Sequence, residues 1–164
     1  MQLRTAARSS RPRGGFSLIE LMIVVAIATI LFALAVPSYI TYIRQSRRTE
    51  AKTAVLDLAG REERFLSTNP AAYTSVATSL GYPAVPGFPA TVGNGYYTLN
   101  VCTVPPAASC PPSAIATAPA YTVTATPVAG QSQAQDLQCT SFSVDSAGQQ
   151  FATGSQTAVY CWAN

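Results

Sequence analysis

The chain has no histidine, and beyond Arg64 it has neither lysine nor arginine. Without histidine there is no His-dependent catalytic triad and no His-containing metal site. No Gly-Lys pair follows a glycine loop that could bind phosphate. Asp136 and Asp145 are the only acids after Glu63, and a turn and a surface position explain them more simply than a catalytic pair. The sequence therefore predicts a protein that is not an enzyme and that needs no cofactor and no metal.

Charge is scarce throughout, because Asp, Glu, Lys and Arg together make up 10% of the residues. Four of the ten basic residues lie within residues 1–15, so the remaining six face seven acids. A C-terminal region so poor in charge is suited to packing against other subunits.

A DNA-binding protein needs a basic face to neutralise phosphates. Only one basic cluster could contribute to such a face, and it comprises Arg44, Arg47, Arg48 and Lys52. The sequence therefore argues against nucleic acid as a partner.

One long apolar run stands near the N-terminus. It extends from Phe16 to Val36, and Glu20 is the only charged residue among these 21. As a helix the run would span roughly 30 Å, the thickness of the hydrocarbon core of a bilayer. A carboxylate inside a membrane segment costs about 2.5 kcal/mol or more, so Glu20 is a candidate functional residue. A secretory signal peptide cleaved after Ala33-Leu34-Ala35 is the alternative, but the run is longer than its usual apolar region and Glu20 stays unexplained.

Pro37 closes the apolar run, and an amphipathic helical pattern follows it. The apolar positions recur at spacings of three and four residues; they are Ile40, Ile43, Ala51, Ala54, Val55, Leu58, Phe65 and Leu66. The pattern predicts one helix over residues 16–67. Pro37 should kink or locally break this helix, because proline removes a backbone donor. Most of the charged residues between 44 and 64 are expected to form a solvated helix face.

The C-terminal half predicts a small antiparallel sheet. Residues 67–95 are rich in Pro, Gly and Ser and are expected to form a long loop. Segments that alternate with a period of two predict strands at residues 96–102, 120–126, 139–145 and 158–162. Residues 145–148 have the composition of a turn between the last two strands. We therefore expect an α+β fold, in which one long spine helix packs on a sheet of three or four antiparallel strands.

Four cysteines lie beyond the apolar run, at positions 102, 110, 139 and 161. They allow three pairings, of which we favour Cys102 with Cys110 and Cys139 with Cys161. A zinc site is the alternative, but no two cysteines have the close spacing of zinc ligands. Disulfides form in oxidising compartments, so the region that carries them is expected to lie outside the cytoplasm. Basic residues flank the apolar run on both sides and do not decide its orientation.

The segment Gly14-Gly15-Phe16-Ser17-Leu18-Ile19-Glu20 resembles the N-terminus of type IV pilins. In that family a prepilin peptidase cleaves after the glycine that corresponds to Gly15 and methylates the new terminal amine, here that of Phe16. The fifth mature residue, here Glu20, is the carboxylate used in filament assembly. A proline at the position of Pro37 is a further family feature. The C-terminal half is similar to that of PilE-type pilins at residues 121–131, 136–139 and 145–148.

This resemblance implies a division into three parts. Residues 1–15 are the leader peptide, residues 16–44 are the transmembrane and assembly half of the spine helix, and residues 45–164 are the globular head. The expected protein is a structural subunit of the type IV pilus, and a minor subunit rather than the major one. It passes from the inner membrane into an extracellular filament. Its implied partners are other pilin subunits, the prepilin peptidase, the inner membrane and the pilus assembly machinery. A DNA-uptake receptor pilin, a type II secretion pseudopilin and a major pilin are the alternatives.

Overall fold

The computed structural model of the chain describes residues 15–84, 87–108, 110–113 and 117–163. Residues 1–14 of the expected leader lie outside the described residues. The chain divides into two units, the first ending at Ile40 and the second beginning at Thr41. Helix α1 (Leu18–Thr68) belongs to both of them. Its bounds agree closely with the helix predicted over residues 16–67.

The first unit contains the apolar part of α1. Its most apolar window of 18 residues has a mean hydropathy of 2.8, and none of that window is buried. The segment is long and apolar enough to cross a membrane. An apolar surface of this extent on a protein normally meets lipid or another protein chain. Pro37 lies inside α1, which is helical on both sides of it; the kink at Pro37 stays a prediction.

The second unit contains a five-stranded sheet. Its strands are β1 (Ala90–Val92), β2 (Tyr97–Val104), β3 (Ala120–Pro127), β4 (Ser141–Asp145) and β5 (Gln150–Thr153). The order in the sheet is the order in the chain, and every neighbouring pair is antiparallel. The register aligns Val101 with Val123 and Val123 with Val144. Such a meander needs only short connections between adjacent strands.

The core of the second unit lies between α1 and one face of the sheet. In β2 the side chains of Tyr97, Leu99 and Val101 are buried on this face, and their neighbours alternate outward. The other large contributors are Val55, Leu58, Tyr121, Val123, Ala125, Phe142 and Val144. The helix buries a stripe at spacings of three and four, and the sheet buries alternate residues. These two periods are the ones that the sequence shows.

Two of the expected elements differ from the observed ones. Residues 158–162, predicted as the fourth strand, form a short helix, α2 (Ala158–Ala163). Thr157 caps the start of this helix. Its hydroxyl accepts a hydrogen bond from the amide of Tyr160 at 3.3 Å, and its carbonyl accepts one from the amide of Cys161 at 3.0 Å. Besides the three strands that the sequence predicts correctly, the sheet contains β1 and β5. β5 begins at Gln150, between the predicted turn at residues 145–148 and the predicted strand at 158–162.

The expected loop after α1 contains local structure. Ala77–Leu80 is a turn of 3₁₀-helix, and Gly81 closes it with φ of 76°. A residue with a side chain rarely adopts this left-handed conformation, so glycine suits the position. The predicted turn after β4 is confirmed. The side chain of Asp145 accepts from the amides of Ala147 at 3.0 Å and Gln149 at 2.9 Å, and so joins β4 to β5.

Candidate functional site

The N-terminal segment presents its candidate residues on the surface. Gly15, Phe16 and Glu20 are all exposed, and the side chain of Phe16 is 83% accessible. α1 begins at Leu18, so Glu20 lies in its first turn, where a negative charge interacts favourably with the helix dipole. Gly15, Phe16 and Ser17 are non-helical. The bond between Gly15 and Phe16 and the side chain of Glu20 therefore lie on the surface of the described part of the chain.

Two disulfides are present, and they are the pairings favoured from the sequence. Cys102 is bonded to Cys110 and Cys139 to Cys161, with Cα–Cα distances of 5.6 and 5.7 Å. The second disulfide joins α2 to the residue two positions before β4, and both of its cysteines are fully buried. Trp162 reinforces this attachment, since its indole N–H donates to the carbonyl of Phe151 at 3.0 Å. The C-terminus is thus fixed to the last two strands of the sheet.

A buried ion pair connects α1 to the segment between β3 and β4. The guanidinium of Arg48 donates to both carboxylate oxygens of Asp136, at 2.7 and 2.8 Å, and to the side chain of Gln138 at 2.9 Å. Arg48 is 1% exposed and Asp136 is 2% exposed. Hydrogen bonding to Asp136 raises the pKa of the Arg48 guanidinium. Gln133 also donates to Asp136, at 3.1 Å, so this carboxylate organises the whole turn before Cys139.

This pair corrects two expectations. The sequence pattern places Arg48 among the charged residues expected on a solvated helix face and Asp136 at a surface position, but both side chains are buried. The signal was present in the sequence. Arg48 precedes Ala51 by three residues and Val55 by seven, so it lies on the same helix stripe as the apolar residues. Glu62 lies four residues after Leu58 on that stripe and is likewise fully buried.

Glu62 has few hydrogen-bond partners. One of its oxygens accepts from the amide of Thr74 at 3.2 Å, and its Oε1 is buried with no hydrogen-bond partner. Burial is the main reason that the pKa of Glu62 is raised to about 7; the charge of Glu63 adds to the effect and the Thr74 amide opposes it. The buried Asp136 carboxylate, by contrast, is paired with the guanidinium of Arg48.

Lys52 donates to the carbonyl of Trp162 at 3.2 Å, and the other remaining cations form two groups on α1. In the first, Arg47 lies over the ring of Tyr96, 3.7 Å from its centroid, and donates to Ser132 at 2.6 Å. In the second, Arg61 and Arg64 border a cavity of about 320 Å³, which we call the Arg61–Arg64 cavity. It is also lined by Phe65, Thr68, Ser79, Leu80 and Gly81. Arg64 is exposed, whereas Arg61 is paired with Asp57 at 2.7 Å, so a phosphate or another anion at this cavity would bind chiefly through Arg64.

The outer face of the sheet is neutral and rich in hydroxyl groups. A groove of about 400 Å³ runs along it, and we call this surface the threonine face. It is lined by Pro89, Thr98, Asn100, Cys102, Pro111, Thr122, Thr124 and Thr126. Facing hydroxyls bond across the strands, as between Thr98 and Thr126 at 3.0 Å. This is the structural counterpart of the neutral C-terminal region seen in the sequence.

Within the part of the chain that the structure describes, no three His, Cys, Asp or Glu side chains are grouped so that they could hold a metal ion. The two acids of the C-terminal region have separate structural tasks, Asp136 in the buried pair and Asp145 in a turn. The candidate site is therefore a set of surfaces: the exposed apolar segment with Glu20, the Arg61–Arg64 cavity and the threonine face.

Comparison with known proteins agrees with these surfaces. Residues 10–36 match the family model described as prokaryotic N-terminal methylation motif. Residues 37–143 match the model described as type IV minor pilin ComP, DNA uptake sequence receptor. The type IV major pilin protein PilA of Myxococcus xanthus is 40% identical over 80 residues, which are 49% of this chain and 36% of that protein. The fimbrial protein EcpC of Eikenella corrodens is 40% identical over 87 residues, 53% of this chain and 52% of that protein.

The aligned part of the chain spans about a third of the first of these relatives and about half of the second. The pilin minor-subunit model, in contrast, covers more than half of this chain, from the end of the apolar run into β4. The methylation motif covers the preceding segment, in which Gly15, Phe16 and Glu20 lie. The chain therefore belongs to the type IV pilin family, a family of structural proteins, in the group of the minor pilin ComP, DNA uptake sequence receptor.

Proposed function

We propose that the chain is a structural subunit, and specifically a minor one, of a type IV pilus. The observation that carries this proposal is the exposed apolar segment of α1 behind a methylation motif, with a single carboxylate in its first turn. As a type IV pilin, the protein is anchored in the membrane by this segment before assembly and is extracellular in the pilus afterwards. In the filament, neighbouring subunits would cover the apolar surface that lipid covers before assembly.

Maturation would separate the chain into the three parts expected from the sequence. We propose that a prepilin peptidase removes residues 1–15 and methylates the amine of Phe16. Residues 16–44 would then serve as the transmembrane and assembly half, and residues 45–164 as the head. The intact mass of the protein extracted from membranes tests this. A mature chain that begins at N-methylated Phe16 is expected; a chain that begins at Met1 or Val36 would refute it.

Glu20 would hold the subunit in axial register. In a bundle of apolar helices, the charged amine at Phe16 of one subunit needs an anionic partner, and Glu20 of a neighbour can supply it at a matching depth. Glu20→Val should therefore insert into the membrane normally and enter sheared pili poorly. Thr29→Val, on an exposed position of the same segment, is the matched control and should assemble as the wild type does. If Glu20→Val is cleaved normally and assembles at the wild-type level, the assembly role of Glu20 is wrong.

The assignment as a minor subunit is supported by the description of the family model that matches residues 37–143. Its test is the abundance of this chain, relative to the other subunits, in sheared pili. Quantitative mass spectrometry with labelled reference peptides should find it well below the most abundant pilin. A chain that makes up most of the filament would be a major pilin instead.

DNA reception is the second candidate function, and the family description favours it. The sequence argues against nucleic acid because it has few cations, and the burial of Arg48 removes one more from the surface. The Arg61–Arg64 cavity, however, brings two guanidinium groups to one place near the end of α1. Arg44 and Arg47 form a second cationic position on the same helix. Contacts to phosphates at these positions would position DNA without specifying its sequence.

The DNA hypothesis has a direct test in the salt dependence of binding. Full-length protein in detergent is titrated into a fluorescent DNA duplex at several salt concentrations, and the anisotropy is measured. Arg64→Ala should weaken binding and reduce the slope against the logarithm of salt by about 1, while Arg64→Lys should keep that slope. If the wild-type protein leaves the anisotropy unchanged at low salt, the chain is no DNA receptor and the pilus-subunit proposal stands alone.

A further inference from the structure

Glu62 lies on the inner face of α1 without a compensating charge. The residue is fully buried. Its only hydrogen bond within the described residues comes from the amide of Thr74, and Oε1 has no partner. Arg61, the preceding residue in the chain, points elsewhere, since its guanidinium donates to Asp57 at 2.7 Å and to the carbonyl of Leu80 at 2.9 Å. An ionised carboxylate in this position would be strongly destabilised, whereas the neutral acid would not.

The charged and titratable groups that face Glu62 come from three elements. Glu63 follows it on α1, Tyr73 lies in the segment after α1, and Tyr121 lies on β3. The hydroxyl of Tyr73 donates to Glu63 at 3.1 Å, and its ring packs edge-on against that of Tyr121, with centroids 4.6 Å apart. Among the described residues, the charged group that faces Glu62 is thus another acid, Glu63. Glu63 favours the protonated form of Glu62, and neither tyrosine supplies a positive charge.

The partner of Glu62 belongs to residues 69–81, which we call the docking segment. α1 holds this segment through three consecutive residues: Glu62 binds the amide of Thr74, Glu63 binds the hydroxyl of Tyr73, and Arg61 binds the carbonyl of Leu80. Leu80 is 3% exposed and packs in the core. The docking segment also supplies three of the residues that line the Arg61–Arg64 cavity. A change in its position would change the wall of that cavity.

We propose that Glu62 is a pH-sensitive latch for the docking segment, which stays on α1 while Glu62 is protonated and is released when Glu62 ionises. Release is the route by which the charged carboxylate would reach water, because the group bonded to it, the amide of Thr74, belongs to the docking segment. Docking is strongest below pH 4.5, weakens up to about pH 7 and is weakest above it, since the pKa of Glu62 rises from 4.5 to about 7 when the segment is docked. The latch does not require DNA. Its effect on an anion at the Arg61–Arg64 cavity rests on the proposed receptor function.

Hydrogen exchange of the full-length protein in detergent tests the latch. Amide exchange of the docking segment is followed by mass spectrometry at pH 5 and pH 8 and is corrected for the intrinsic rate at each pH. The pKa of Glu62 is about 7 when the segment is docked and 4.5 when it is released. The protection of the segment should therefore fall by roughly 70-fold between pH 5 and pH 8. Glu62→Gln should lose this dependence. Glu50→Gln is the matched control, because Glu50 lies on the same helix and binds another loop residue, Asn94, at 3.2 Å.

Three results would overturn the proposal. One is wild-type protection that does not change with pH, and another is a Glu62→Gln protein that keeps the wild-type dependence. The third requires no variant, in case Glu62→Gln does not fold: the carboxyl carbon of Glu62, observed by ¹³C NMR, titrates near pH 4.5 instead of near pH 7. These measurements use neither DNA nor pili, so their outcome is separate from that of the proposed function.

Discussion

The buried pair of Arg48 and Asp136 allows a quantitative test of the fold. Asp136→Leu removes both carboxylate oxygens that accept from the guanidinium at 2.7 and 2.8 Å, while Arg48 stays 1% exposed. A buried charge that loses its partner costs about 3–5 kcal/mol of folding free energy. For a head of this size, this corresponds to a decrease in melting temperature of roughly 10–20 °C. Gln138 still accepts one hydrogen bond from Arg48, so the loss of folding free energy is expected toward the lower end of this range.

The double variant separates the ion pair from simple loss of packing. Arg48→Met alone leaves Asp136 buried with bonds from Gln133 and from the backbone of Gln138. In Arg48→Met/Asp136→Leu neither member of the pair leaves an unpaired charge behind, so most of the stability should return. The coupling energy from the double-mutant cycle is then expected to be about 2–3 kcal/mol. The measurement is thermal unfolding of the full-length protein in detergent, followed by circular dichroism.

Additivity of the two single variants would refute this reasoning. So would a loss of less than about 1 kcal/mol in Asp136→Leu, the size expected of an exposed ion pair. Arg61 and Asp57 provide the matched comparison. Their side chains are 35% and 51% exposed at an N–O distance of 2.7 Å, so Asp57→Ala should cost less than about 1 kcal/mol.

Three further predictions concern the C-terminal attachment and the buried acid. Cys161→Ser opens a disulfide of sequence separation 22 in the core and should cost roughly 3 kcal/mol or more; Cys110→Ser opens one of separation 8 and should cost less. Denaturant unfolding compares the two, and a larger loss in Cys110→Ser would contradict the argument. Gly154→Ala should destabilise the head by about 2–4 kcal/mol, because φ is +138° and a Cβ would meet the backbone of Gln138. In Gly130→Ala only the backbone strain applies, so equal losses would show that the close contact is unimportant. Glu62 should make the wild-type head less stable at pH 8 than at pH 5 by roughly 2–3 kcal/mol, and Glu62→Gln should remove that difference; a melting temperature that does not change with pH would contradict it.

Local patterns in the sequence determined several features of this protein. The apolar run and the periodic stripe after it predicted α1 to within two residues at each end. Alternation located β2, β3 and β4, and the favoured cysteine pairings are those in the structure. The glycine pair before Phe16 indicated the pilin family that the comparisons show. Apart from the pairing of Cys139 with Cys161, which lie 22 positions apart, each of these depends on residues close together in the chain, and so a period or a motif is enough to reveal it.

Tertiary structure decided the features that depend on distant residues. The partner of Arg48 lies 88 positions away, and only the folded chain shows that Asp136 meets it inside the core. Residues 158–162 have the alternation of a strand, yet the bond from Cys161 to Cys139 and the start at Thr157 hold them as a helix. β5 (Gln150–Thr153) is only four residues long and lies at the edge of the sheet, where it pairs with β4 alone. Glu62 became a candidate latch for the same reason, because its burial depends on the docking segment and β3 as well as on its own helix.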